Sequence, residues 1–215
     1  MKRSVQSLVE AYARMERRLH AEVAALSAGV CAGCRKVCCT PEHCADFATS
    51  PWLRRVAAVA LGTGSALPRR RRGGFLSVAG CTLLAGRPMQ CTLYVCDRID
   101  AQLTDPLKRF LYEVLSRLLV YVVRDVAGHN DLTEIKDLDA LSASQRKKIA
   151  ARIATADRCL DVCGGLRAGQ DGECTAREVC RQVLYLASLH PFAAQRAGAA
   201  AKTAAVAARE GLANK

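Results

Sequence analysis

The sequence predicts a mostly α-helical protein, a helical bundle wrapped around an irregular cysteine-rich metal-binding segment. Three observations lead to this fold class. Only 5% of the 215 residues are aromatic, while alanine, leucine, valine and arginine dominate, which favours helices over sheets. Long stretches repeat their apolar residues every three or four positions, as amphipathic helices do. Twelve cysteines, most of them in short groups, interrupt this helical pattern.

Residues 1–28 form the first predicted unit, an N-terminal amphipathic helix. Its apolar side chains recur at steps of three and four, so they make one stripe. The repeat spans only about three heptads, which favours packing on the rest of the chain over a partner helix. The stripe consists of Val5, Leu8, Tyr12, Met15, Leu19, Val23 and Leu26.

Residues 29–100 form the second predicted unit, a cysteine-cluster metal-binding segment with little regular structure. A short helix is expected at 51–61, because Pro51 follows Ser50 at a first-turn position where proline is tolerated. The preceding part, 29–50, has little helical signal. Residues 62–74 are predicted to form a Gly/Arg loop, and 75–96 have some strand character.

Residues 101–192 form the third predicted unit, a helical core. Thr104 or Asp105 can cap its strongest helix, Pro106 fits the first turn, and Gly128 ends it. A second helix is expected from about Ser142 to Cys163, with a stop at Gly164–Gly165.

The end of the chain is predicted to be helical as well. Thr175 and Glu178 match a capping box, which starts a helix that ends before Pro191. Residues 193–215 form the fourth predicted unit, an alanine-rich basic tail.

Charge and targeting patterns narrow the partners and the compartment. A net charge of +12 is compatible with nucleic acid, an anionic membrane surface or an acidic protein partner. The densest run, Arg69–Arg72, is better explained as a solvated loop, since Phe75 is the only aromatic residue nearby. No segment approaches the ~18 uncharged apolar residues of a membrane span. The charged N-terminus lacks the apolar stretch of a signal peptide, so a cytoplasmic protein with reduced thiols is expected.

The first cysteine group lies in the run CAGCRKVCC and its surroundings. Two cysteines separated by two residues can both face one ion, and thiolates suit zinc and iron–sulfur clusters. Vicinal Cys38 and Cys39 do not easily serve one ion, and His43 is a further candidate ligand. The alternative is buried structural cysteine with chance spacing. The candidate thiol ligands here are Cys31, Cys34, Cys38, Cys39 and Cys44.

The second group consists of Cys81, Cys91 and Cys96 in GCTLLAGRPMQCTLYVC. The pattern C-x-x-C-x-x-x-C-C, followed later by C-x-x-L-x-x-R-P-x-x-C-x-x-Y, resembles the YkgJ-type cysteine cluster family, described as zinc- or iron-chelating. The resemblance covers about residues 31–96. The metal ligands that it implies are Cys31, Cys34, Cys38 or Cys39, Cys81 and Cys91.

The chain also departs from that family. Gly73 stands where the family carries a cysteine just before its Phe-Leu pair, and Cys44 or Cys96 could substitute for it. Flagellin lysine methylase, a larger protein that is similar to that family, carries a similar cysteine cluster on a longer chain. The chain has no nucleotide or S-adenosylmethionine fingerprint of the strand-then-G-x-G kind.

The third group, outside the family-like segment, consists of Cys159, Cys163, Cys174 and Cys180. Cys159 and Cys163 are four residues apart, so they share one helix face. Four thiols where one helix ends and the next begins are predicted to form a separate metal centre. The alternatives are a helical hairpin with small buried cysteines, or loop closure by a disulfide.

The leading functional hypothesis is a cysteine-ligated metal-binding protein. An iron–sulfur (4Fe–4S) cluster ranks ahead of zinc, because eight cysteines lie between 31 and 96 and histidine is scarce. Electron transfer, metal or cluster handling and cluster-dependent modification are the roles considered. The alternatives are a zinc-stabilised basic module that docks nucleic acid or an acidic protein, and a protein-lysine-modifying enzyme by family analogy. His20, His129 and His190 are expected to be surface or capping residues.

Overall fold

The computed structural model describes residues 2–31, 44–62, 75–77, 80–93, 96–126 and 131–169, together with residues 178, 180, 181, 183 and 185. This part of the chain is mostly helical, which confirms the predicted class. The longer helices are α1 (Arg3–Cys31), α3 (Pro51–Leu61), α6 (Pro106–Val123) and α7 (Ala143–Arg167); the shorter ones are α2 (Ala45–Thr49), α4 (Gln90–Leu93) and α5 (Asp97–Gln102). The five separate residues from 178 to 185 are also helical.

Two short strands and two 3-10 turns complete the described structure. β1 (Leu76–Ser77) and β2 (Gly80–Cys81) pair antiparallel, with Leu76 opposite Cys81 and Ser77 opposite Gly80. Single 3-10 turns lie at Leu132–Glu134 and Leu138–Ala140. The strand character expected across 75–96 is thus confined to this pair, and α4 follows it.

A bundle of α1, α3, α6 and α7 forms the core. α1 packs against the other three helices, and α6 packs against α7. The apolar stripe of α1 faces inward: Tyr12 is buried and meets the Trp52 ring edge-on at 5.4 Å. Packing on the rest of the chain is therefore confirmed for this helix.

Helix starts were predicted well because capping is local chemistry. The Ser50 hydroxyl accepts a hydrogen bond from the Leu53 amide at 3.3 Å, and Pro51 follows it. Asp105 caps α6 by accepting from the Lys108 amide at 2.9 Å. Ser142 begins α7 with a reciprocal capping box.

Helix ends were predicted less well. α6 ends at Val123 rather than at Gly128, since Arg124 is already extended and Asp125 has φ 48°. The stop at Gly164–Gly165 is wrong, because α7 continues to Arg167. Leu166 is buried there, and that packing offsets the ~1 kcal/mol that each helical glycine costs.

Other expectations have different outcomes. α2, α4 and α5 were not predicted. The Thr175 cap, His129, His190 and the tail from 193 lie outside the described residues, and the unit boundaries stay predictions. Among the helices that the structure describes, none combines the length and the apolar character needed to cross a membrane.

Candidate thiol centre on helix α7

Cys159 and Cys163 lie on the inner face of α7. Their spacing of four residues places them one turn apart, and they are 0% and 1% exposed. Ala156 precedes them on the same face and is also fully buried. The apolar core that α7 covers therefore contains two thiols side by side.

Cys180 meets both of these thiols from a separate helical turn. Its side chain is 0% exposed, belongs to the same buried cluster as Cys159 and Cys163, and lies close enough to interact electrostatically with both thiols. The structure thus brings together three of the four cysteines predicted to form the third group. The fourth, Cys174, lies outside the described residues.

Electrostatics single out Cys180 within this group. Hydrogen bonds from the Cys159 and Cys163 thiols lower the pKa of Cys180 against the opposing effect of burial. The same contacts, followed by burial, raise the pKa of Cys159 and of Cys163. The three thiols are therefore coupled: ionisation of one raises the pKa of its neighbours, so at most one of them is readily ionised in the absence of a cation.

Ion pairs between α1 and α7 flank the thiol centre. Arg167 donates to both Glu22 oxygens, at 3.0 Å and 3.2 Å. The Glu22 charge is close enough to contribute to the raised pKa of Cys163. On the preceding turns of α7, Asp157 and Asp161 both bind Arg18 at the exposed edge between the two helices.

The described cysteines of the first two groups are spread over the fold. Cys44 is buried in the main core, and half-buried Cys81 packs against that same core. Cys96 packs against a second, smaller cluster around Val30, whereas Cys91 is exposed on α4. Cys31 is the last residue of α1. Cys34, Cys38, Cys39 and His43 lie outside the described residues.

No three side chains of His, Cys, Asp or Glu in the described ranges are arranged as a site that could hold a metal ion. This statement covers seven of the twelve cysteines, because four lie outside those ranges and the side chain of Cys31 is not among those described. The ligand sets that the sequence suggested therefore stay predictions.

His20 was expected to be a surface or capping residue, and this expectation is wrong. Its side chain is only 12% exposed, and within the described part neither ring nitrogen makes a well-formed hydrogen bond. Glu16, one turn earlier, is fully buried and lies 3.6 Å from the His20 ring. Both residues flank the apolar stripe of α1, but their burial depends on the turn at Gly86, which is distant in the chain, so the local sequence pattern does not reveal it.

Glu16 binds the backbone of the family-like segment. Its two oxygens accept hydrogen bonds from the Gly86 and Arg87 amides, both at 2.8 Å. Burial raises the pKa of Glu16 to about 7, although both amides and the Arg87 charge oppose the rise. Burial, and then Arg87, lower the pKa of His20 to about 3. The Glu16 carboxyl thus holds the turn between Cys81 and Cys91 on α1, with the buried His20 ring beside it.

No protein-family model matches the chain, and no curated protein or solved structure is significantly similar to it. The resemblance to the cysteine cluster family therefore stands on the residues quoted for it alone. The function has to be argued from the side chains that the fold brings together.

Proposed function

We propose that the protein is a cysteine-ligated metalloprotein in which Cys159, Cys163 and Cys180 close around one zinc ion, with Cys174 as the fourth ligand. In the described structure the three side chains are not already arranged as a metal site, so metal binding has to draw them together. The observation that supports the proposal most is that all three thiols are fully buried in one cluster inside the bundle. Structural zinc takes four ligands, commonly all thiolates. The bound ion would supply a closed crosslink between α7 and the turn that carries Cys180.

The chemistry of the three thiols supports a metal more than simple core packing. A buried charge is costly unless it is paired, and two neutral thiols compensate a thiolate only in part. A cation would stabilise all three sulfurs as thiolates, since metal binding releases their protons. Packing alone would be served as well by alanine or leucine.

We favour zinc at this centre because the group supplies four thiols in all, which is the number that a closed structural zinc site takes. An iron–sulfur cluster remains our proposal for a second centre, built from the cysteines at 31–44 and 81–96.

The proposed zinc has a structural role in a basic protein. The net charge of +12, with Arg14 and Arg17 exposed on α1, favours an acidic protein as the partner, or else nucleic acid. Electron transfer and lysine modification have no comparable support among the described side chains. The second candidate function is therefore the zinc-stabilised interaction module.

Metal analysis tests the proposal directly. Zinc, iron and acid-labile sulfide should be measured per chain in anaerobically purified protein and in the Cys159→Ala, Cys163→Ala and Cys180→Ala variants. Each variant should lose about one zinc per chain, because three thiolates hold the ion far more weakly than four. Any iron and sulfide should stay unchanged, since that centre would use other cysteines.

Ala156→Ser is the matched control. It places a hydroxyl on the same buried face of α7, one turn before Cys159, without removing a ligand. It should keep its zinc even where it costs stability. Full zinc retention in Cys180→Ala, or equal zinc loss in Ala156→Ser, would contradict the proposed centre.

A further inference from the structure

The thiols of α7 cannot easily bond to each other. Side chains four residues apart on a helix have Cβ atoms about 5–6 Å apart. A disulfide needs about 3.5–4.5 Å between its Cβ atoms. α7 runs helically through Cys159 and Cys163 to Arg167, so a bond between them would have to distort the helix.

Cys180 is free of this restriction. It lies outside α7, and its side chain is fully buried in the same cluster as the two α7 thiols, close enough to interact with both. We infer that Cys180 is the disulfide partner of the two α7 thiols, so that a hydroperoxide converts the centre to a Cys159–Cys180 or a Cys163–Cys180 bond. The helix geometry fixes the product, whichever sulfur reacts first.

The chemistry balances with a hydroperoxide as the oxidant. One cysteine, as the thiolate, attacks the outer peroxide oxygen; the O–O bond breaks and leaves a sulfenic acid and an alcohol or water. A second thiolate then attacks the sulfenic sulfur, the S–O bond breaks, and water leaves as the S–S bond forms. Two thiols have lost two electrons, which the peroxide has gained.

The burial of the three thiols limits how fast they can be oxidised. The three sulfurs are 0–1% exposed, so oxidation requires opening of the turn around Cys180 and should be slower than oxidation of exposed Cys91. Where zinc is bound, a point that rests on the proposed function, oxidation would release the ion. The turn would stay attached to α7, by a covalent bond in place of a metal.

Tryptic mapping reads the bonds directly because of where the arginines lie. Cys159 and Cys163 share the peptide CLDVCGGLR, Cys174 lies in AGQDGECTAR, and Cys180 lies in EVCR. Metal-free full-length protein should be treated with hydrogen peroxide, unfolded in the presence of an alkylating agent, and digested without reduction. The expected product is CLDVCGGLR linked to EVCR, which a reductant separates.

Three variants make the assignment specific. Cys159→Ala and Cys163→Ala should each still form the bond to Cys180. Cys180→Ala should leave Cys159 and Cys163 alkylated as free thiols, with circular dichroism used to verify its helices. CLDVCGGLR lighter by two hydrogens, EVCR linked to AGQDGECTAR, or all three thiols alkylated while Cys91 is oxidised would each overturn the inference.

Zinc content separates this result from the proposed function. A protein that binds no zinc yet forms the Cys180 bond supports the redox chemistry and contradicts the zinc proposal. A protein that binds zinc through these cysteines but never forms the bond after metal removal contradicts the redox inference alone.

Discussion

The two cysteine-bearing regions of this molecule differ in how their thiols are held. Cys159, Cys163 and Cys180 are fully buried in one cluster at the inner face of α7. In the stretch from 80 to 96, by contrast, Cys81 packs against the main core, Cys96 against a second cluster, and Cys91 is exposed. Similar density in the sequence has produced one convergent group and one dispersed set among the described residues.

The difference shows what sequence spacing can fix. On a long helix, a spacing of four residues sets both the distance and the direction of two side chains. In a stretch of two-residue strands and single-turn helices, each cysteine follows its own local element. Spacing there predicts that thiols are available, but tertiary packing decides where they go.

Of these experiments, metal removal should have the largest effect on the protein. It is also the strongest test of the contrast between the two cysteine-bearing regions. Structural zinc can contribute ~10–16 kcal/mol of apparent binding free energy, comparable to the stability of a whole domain. On treatment with a chelator, amide exchange in the peptide with Cys180 should accelerate more than 100-fold. Exchange in the middle of α6, around Leu118, should change only a few-fold, because that helix is held by apolar packing.

The same exchange experiment reports on the other region. Residues 80–93 should respond only if a second metal centre is present, so their response is independent of the Cys180 result. Equal acceleration in α6 and around Cys180 would mean that the proposed centre supports the whole fold and not one turn. Unchanged amide exchange around Cys180 would contradict a structural role for the proposed zinc.

The extent to which sequence predicted this structure follows the same division. The starts of α3, α6 and α7 could be predicted because Ser50, Asp105 and Ser142 act on their own helices. The position of Cys180 against α7 followed from helix geometry. Burial of His20 could not be read from local sequence, because it depends on the turn at Gly86, which is distant in the chain. The short helices α2, α4 and α5 are too short to show a periodic apolar pattern.

Gly86→Ala should disturb the dispersed region severely. Gly86 has φ 79°, and an added Cβ would lie 2.3 Å from the Leu53 carbonyl oxygen. The left-handed backbone costs about 1–2 kcal/mol, and the overlap adds about 1–3 kcal/mol. Gly169→Ala is the matched control, since it has φ 78° but nothing within 4 Å of an added Cβ. Urea unfolding should show a loss about 1–3 kcal/mol larger for Gly86→Ala, because only the overlap differs between the two variants. Equal losses would contradict the close packing at this turn.

The pH dependence of the unfolding free energy should reveal the buried Glu16–His20 pair beneath the Gly86 turn. Glu16 has its pKa raised from 4.5 to about 7, so between these values the folded state keeps a proton that the unfolded state has lost. Its contribution to the unfolding free energy therefore falls as pH rises. His20 has its pKa lowered from 6.5 to about 3, so its contribution rises with pH. Between pH 4.5 and 6.5 the two slopes oppose each other.

Single substitutions should uncover each slope. Relative to the unsubstituted protein, Glu16→Gln should gain stability with rising pH in this window, because only the His20 term is left. His20→Asn should lose stability with rising pH in the same window, because only the Glu16 term is left. Each slope should approach ~1.4 kcal/mol per pH unit, the value for one proton. Urea unfolding at three pH values measures both, and slopes of the same sign in the two variants would show that the pair is not held as described.

Arg18→Gln should give the smallest effect, and that small size sharpens the comparison. Arg18 binds Asp157 at 2.7 Å and Asp161 at 2.5 Å, but its side chain is 45% exposed. Exposed ion pairs contribute about 0.2–1 kcal/mol, so we expect a loss below about 1 kcal/mol that shrinks further in 1 M salt. Arg14→Gln is the control, because Arg14 is exposed on the same helix and has no ion pair among the described residues. A loss of several kcal/mol in Arg18→Gln would mean that surface charges, and not the buried thiols and apolar faces, hold α7 against α1.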